Sequence, residues 1–125
     1  MAAQNGLDVA LYPHVNFWLE RTDHARDLVR QLNRPNVGLA FNLCHYLATT
    51  TRVERDNLTA HLKTLQPYLK LVTICGADNV DVSAEAKQKG ELWNYYLLPL
   101  GSGSFDTYGL LKTLTKELRY TGPIG

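Results

Sequence analysis

The sequence predicts an α/β chain that forms part of an eight-stranded parallel barrel, about three βα units with a parallel sheet. Three observations carry this reading. Short apolar segments begin near residues 7, 37 and 70, roughly 30 residues apart, the length of one strand-plus-helix unit. Between and after them lie segments with apolar residues at helical spacing. The strand segments also split into a face of large residues and a face of small ones that ends in a polar group. That split suits a barrel packed outside against helices, with a crowded interior opening on a site.

Taken in order, Leu7-Asp-Val-Ala-Leu-Tyr12 is the first strand, stopped by Pro13, which cannot donate to a sheet ladder. Leu7, Val9 and Leu11 share one face; Asp8, Ala10 and Tyr12 share the other. His14, Asn16 and Trp18 follow in a loop. Thr22 is the expected N-cap of a helix with Asp23 in its first turn, and Ala25, Leu28, Val29 and Leu32 form its buried stripe. Asn33 to Asn36 end it, with Pro35 barring continuation. Val37 to Asn42 is the second strand, with Val37, Leu39 and Phe41 on the large face and Gly38, Ala40 and Asn42 on the small one. A helix over about Glu54 to Gln66 carries Leu58, Leu62, Leu65 and Leu69 as its stripe. Lys70 to Cys75 is the third strand, closed by Gly76.

The polar stretch Ala77 to Glu91 is long for a connection, as lids and binding loops are. The aromatic run Leu92 to Leu100 is expected to lie on the body. Gly101-Ser-Gly-Ser104 suits a tight turn before a helix capped by Asp106, with Leu110, Leu111, Leu114 and Leu118 as its stripe. A Gly-Ser turn before a helix also suits phosphate, but Asp106 puts a negative charge there, which favours the plain cap. Gly122-Pro-Ile-Gly125 reads as the entry to another strand.

Composition bounds the function. The 125 residues, 45% hydrophobic and 20% charged, are read as one partial barrel domain over residues 1–125. A net charge of +1, with both signs spread along the chain, calls for neither nucleic acid nor an anionic membrane surface as partner. No apolar run approaches the roughly 18 residues that span a bilayer. Residues 1–6 lack the basic start and apolar core of a targeting peptide, which suggests the cytoplasm if Met1 is the natural start. Ala2 to Gly6 instead reads like the end of a preceding helix. A three-stranded open sheet leaves two edges unpaired, so the chain is expected to be a fragment or to complete itself by association. Cys44 and Cys75 lack metal-site spacing and are read as reduced, packed thiols.

Polar groups at the carboxyl ends of parallel strands mark the expected site. Tyr12, His14, Asn42 and His45 are its candidates. Asn42 either contacts a ligand or satisfies backbone groups, His45 is either an acid/base and ligand group or a strand-end imidazole bonded to backbone, and His14, next to Pro13, reads first as a structural or merely exposed residue and second as a ligand contact. Phe17, Trp18, Trp93, Tyr95 and Tyr96 suit a sugar platform, a partner surface or packing alone.

Four stretches together resemble the xylose isomerase-like barrel family of sugar phosphate isomerases and epimerases, which also includes endonuclease IV. They are Val9-Ala-Leu-Tyr-Pro-His14, Val37-Gly-Leu-Ala-Phe-Asn-Leu-Cys-His45, Leu71-Val-Thr-Ile-Cys-Gly-Ala-Asp78, and Pro99 to Asp106 followed by Tyr120-Thr-Gly-Pro-Ile-Gly125. Their order fits the fifth to seventh strands and the start of the eighth. The resemblance implies isomerisation or epimerisation of a carbohydrate by proton transfer. It also implies a divalent metal held by Glu, Asp, His and Glu at four strand ends. Here the first Glu falls on Tyr12, the Asp on Asn42 and the His on Thr73, while the last Glu falls beyond Gly125. The substrate-contacting His of the family's Asp-x-x-His pattern is kept as His45. With these ligand positions substituted, no metal cofactor is expected. His45 is taken as the catalytic candidate and Tyr12, His14 and Asn42 as contacts for a sugar or sugar phosphate. The alternatives are a non-catalytic relative that binds carbohydrate or protein, and a truncated product without function of its own.

Overall fold

A computed structural model describes residues 1–125. Its centre is a parallel sheet of β1 (Val9–Leu11), β2 (Val37–Asn42) and β3 (Leu69–Thr73), in that spatial order. Val9 pairs with Val37 and Leu11 with Leu39; Phe41 pairs with Val72 and Asn42 with Thr73. Neighbours in sequence are therefore neighbours in the sheet, as successive strands of a βα barrel are. The carboxyl-terminal tripeptide continues the order. Val72 and Ile124 form a parallel bridge, and Gly125 donates its amide to the Val72 carbonyl at 3.0 Å.

The two faces of β2 behave as their side-chain volumes require. Leu39 and Phe41 are fully buried in the main core with Ala25 and Val29 of α1 (Thr22–Leu32) and Leu62 and Leu65. Ala40 is equally buried but lies outside that cluster, on the opposite face. At Gly38 the small face is tight. A Cβ there would run into the Tyr68 carbonyl and the Lys70 side chain. The ladder slips at the same level, between Leu39 and Ala40.

Several element boundaries differ from expectation. The first strand is confined to β1 rather than 7–12, and the third ends at Thr73, two residues before Cys75. Thr22 is the first residue of α1 and not its cap. Its hydroxyl is taken by His61 Nε2 at 2.7 Å, so Arg21 stands at the cap without a side-chain bond. Leu32 of the expected stripe is half exposed.

A helix absent from the expectation, α2 (Leu43–Thr49), starts directly at the end of β2. The expected helix over 54–66 is two: α3 (Arg52–Asp56), opened by a Thr51/Glu54 capping box, and α4 (Leu58–Leu65). The break falls at Asn57, whose side-chain amide bonds back to the Val53 carbonyl at 3.2 Å, the local competition that makes Asn a poor helix-interior residue. The polar stretch carries a short helix, α5 (Ala84–Gln88), and the aromatic run another, α6 (Trp93–Tyr96). Asp106 caps α7 (Thr107–Lys112), accepting the Gly109 amide at 2.8 Å, and the chain runs on as a single wide turn through Glu117. No helix is long and apolar enough to cross a membrane.

Candidate functional site

β2 delivers Asn42 to the carboxyl end of the sheet, level with Thr73 of β3 and next to Tyr12, which follows β1. Asn42 is also the N-cap of α2, and its Oδ1 accepts the His45 backbone amide at 3.1 Å. A backbone N–H can only donate, so this bond fixes which end of the side-chain amide is oxygen. Oδ1 accepts a second bond from Cys44 Sγ at 2.9 Å. Nδ2 then faces the other way and donates to Tyr12 Oη and to Thr73 Oγ1, both at 2.6 Å. All four hydrogen-bonding positions of the Asn42 amide are thus held by protein groups. Both hydroxyls accept from Asn42, and the Thr73 hydroxyl also bonds Tyr12, which leaves the Tyr12 proton to turn toward a ligand.

His45 stands on the first turn of α2 with only 7% of its surface exposed. Its ring lies 3.9 Å, centre to centre, from that of His14, and meets Tyr12 and Trp93 edge-on at 5.5 and 5.4 Å. His14 in turn lies 4.3 Å from the Phe17 ring, tilted at 31° to it. Burial, and then the neighbouring His14, push the His45 imidazole down to about 4, so it is neutral at neutral pH. Burial, followed by the thiol of Cys44, raises the Tyr12 phenol. The Cys44 thiol is pushed up to about 11, first by burial and then by Cys75. Every ionisable group with a shift here is therefore held in its uncharged form.

All four expected candidates, Tyr12, His14, Asn42 and His45, are gathered at one end of the sheet. Two further members were not among them. Thr73 entered the sequence reading only as a substituted metal position. Trp93 is one of several aromatics to which the sequence pattern gives no place, because a helix after a long polar connection has no register with β2. Trp18 is 84% exposed, and its indole is not among the rings stacked here. Cys75 donates to the Tyr96 carbonyl at 3.2 Å and both cysteines are free thiols.

The donor chemistry at the strand ends does not fit a hard divalent cation. Such ions need anionic oxygen, and borderline metals want imidazole or thiolate. Tyr12, Asn42 and Thr73 carry no charge, and the Asn42 amide turns N–H groups, not oxygen, into the space between the other two.

Away from the strand ends, a cavity of about 370 Å³ opens on the helical side near Arg21, Thr22, Tyr46, Glu54 and His61. Its polar groups are already committed: Arg21 binds Glu54 at 2.8 Å and the Thr49 carbonyl at 3.0 Å, and Thr22 binds His61.

Comparison with known proteins bears on the fold. The chain is similar to the solved 3-keto-D-glucoside 4-epimerase YcjR from E. coli, with 20% identity and a TM-score of 0.66, covering 98% of this chain and 39% of that one. An AP endonuclease of family 2 from Brucella melitensis gives 18% identity and a TM-score of 0.69, with 98% and 41% covered. A zinc-bound IolI protein gives 19% and 0.67, with 98% and 40% covered. The chain therefore spans about two-fifths of each, which is the extent of a partial barrel. No curated protein matches it. The family model for the xylose isomerase-like TIM barrel matches residues 1–125, its whole length, and the chain belongs to that family.

Proposed function

We propose that the chain forms the sugar-binding carboxyl-end portion of an isomerase- or epimerase-like barrel. Its reaction class is proton transfer on a carbohydrate, without a divalent metal at the strand ends. The observation that carries this is the convergence of Tyr12, Asn42, Thr73, His45 and His14 where βα barrels place their chemistry. The residue types suit a sugar. Tyr12 and Thr73 offer hydroxyl groups, and Tyr12 and Trp93 offer apolar surface for C–H groups. Asn42, saturated by its protein partners, acts by holding the two hydroxyls in place. His45 is the catalytic candidate, its imidazole neutral and beside them.

The similar fold of a 3-keto-D-glucoside 4-epimerase supports the reaction class. The uncharged strand-end donors favour a second reading, a relative that binds a carbohydrate without turning it over. The two are separated by incubating the full chain in D2O, with chelator present, with a panel of ketoses and aldoses. Deuterium incorporation next to the carbonyl supports catalysis. Binding without incorporation supports the second reading, and incorporation that requires added divalent metal contradicts the metal-free part of the proposal.

A further inference from the structure

The two histidines of the mouth, tilted at 43° to each other, differ at Nδ1, where one ring has a hydrogen-bond partner and the other has none, and that difference sets where each carries its proton. His14 Nδ1 lies 2.7 Å from the Val15 carbonyl. A carbonyl only accepts, so His14 Nδ1 is the protonated nitrogen, and its Nε2 is left with a lone pair. His45 Nδ1 is buried and has no hydrogen-bond partner. Buried N–H groups without an acceptor are rarer in proteins than buried acceptors without a donor. The neutral His45 ring therefore keeps its proton on Nε2, which is not among the buried unpartnered atoms.

The structure assigns opposite duties to the pair: His45 is a hydrogen-bond donor through Nε2–H, and His14 is the proton acceptor through Nε2. This deepens the proposed function and, for its chemical use, rests on it. The ring centres lie 3.9 Å apart, which brings the two assigned groups into one neighbourhood at the strand ends. An acceptor beside a donor matches an α-hydroxycarbonyl unit, the reactive part of a ketose, or of an aldose in its open form. In the step that follows, the C–H bond next to the carbonyl breaks and its proton passes to His14 Nε2. The electron pair left on carbon forms the C=C bond of an enediolate. The carbonyl π pair moves onto oxygen, where the His45 Nε2–H and the Tyr12 hydroxyl stabilise it. Return of the proton from His14 to the neighbouring carbon, with the proton of the adjoining hydroxyl passing to the former carbonyl oxygen through the His45 Nε2–H, completes isomerisation with no oxidant or reductant needed.

The test is long-range 1H–15N correlation of the imidazole rings in the full chain, uniformly 15N-labelled, at a pH where the histidines are neutral. Each ring is assigned through bonds from its own backbone, so no variant is required. The expected result is a proton on Nε2 of His45 and on Nδ1 of His14. A proton on Nδ1 of His45, or on Nε2 of His14, overturns the assignment, whatever the protein turns out to bind. Deuterium exchange into sugars supplies the second arm. His14→Asn, which keeps a donor for the Val15 carbonyl but loses the Nε2 lone pair, is expected to lower exchange by about a hundredfold or more. His45→Gln, which keeps an N–H near Nε2, is expected to retain part of it. Exchange that survives His14→Asn unchanged overturns the role of His14. A chain with the expected ring protons that exchanges no sugar at all refutes the proposed reaction and leaves the donor and acceptor assignment standing.

Discussion

Asn42 holds more of the site than any other residue. It caps α2, fixes Tyr12 and Thr73, and receives Cys44. Asn42→Ala is expected to cost about 1–2 kcal/mol from the lost cap alone, read as a lower urea midpoint with unchanged slope. His45 ties stability to pH. Its folded value of about 4 lies below the ordinary 6.5, so the folded state prefers the neutral ring. The contribution is complete above pH 6.5 and falls away as pH drops toward 4, where the unfolded chain takes up a proton that the folded chain refuses. About 2–3 kcal/mol rides on this window. His61 shifts in the same direction through burial, so the measurement compares wild type with His45→Gln. The variant is expected to show a flatter fall between these limits, and an identical slope would contradict the assignment. The grouping of Tyr12, His14, Asn42 and His45 was legible in the sequence because strand period and strand ends place them together. The saturation of Asn42 was not, since it depends on Cys44 Sγ and Thr73 Oγ1 arriving from opposite sides.

Elements join through Arg55. Its side chain is 2% exposed and ties the Leu47 and Thr50 carbonyls at the end of α2 to Val80 and Tyr96. Asp81, at 3.6 Å and mostly exposed, adds little. Arg55→Ala strands several of these carbonyls without a donor, and a loss of about 3 kcal/mol or more is expected in urea unfolding. Gly38→Ala brings a methyl group against the Tyr68 carbonyl, and a cost of about 1–3 kcal/mol is expected. The sheet and α1, α4 and α7 could be read from period and caps. The helix α2 could not, because Leu43 to Ala48 are all buried and present no polar face to set against an apolar one. Its one signal was Asn42 in N-cap position. That signal was masked by reading Asn42 only as the polar end of a strand.

At the scale of the whole molecule, the sheet has the strand order of a barrel and two-fifths of the length of its solved relatives. β1 is an edge strand, with Val9 at 38% exposure and Leu7, just before it, at 59%. Edges of this kind invite pairing. The 125-residue chain, expressed alone, is expected to sediment as a dimer or larger species, and a stable monomer at all concentrations would count against that expectation. The family was legible in the sequence because it lies in the order of four strand-end motifs. The route by which a divergent member handles its ligand was not, because that depends on the protons carried by uncharged groups.

The most direct test of the sugar-binding mouth is a two-dimensional 1H–15N titration of the full chain with ketoses and aldoses in the presence of chelator. The account expects saturable shifts of the Asn42 side-chain amide and the Trp93 indole, with the exposed Trp18 indole unmoved. Shifts confined to Trp18, or shifts at Asn42 and Trp93 that appear only when divalent metal is restored, would contradict it.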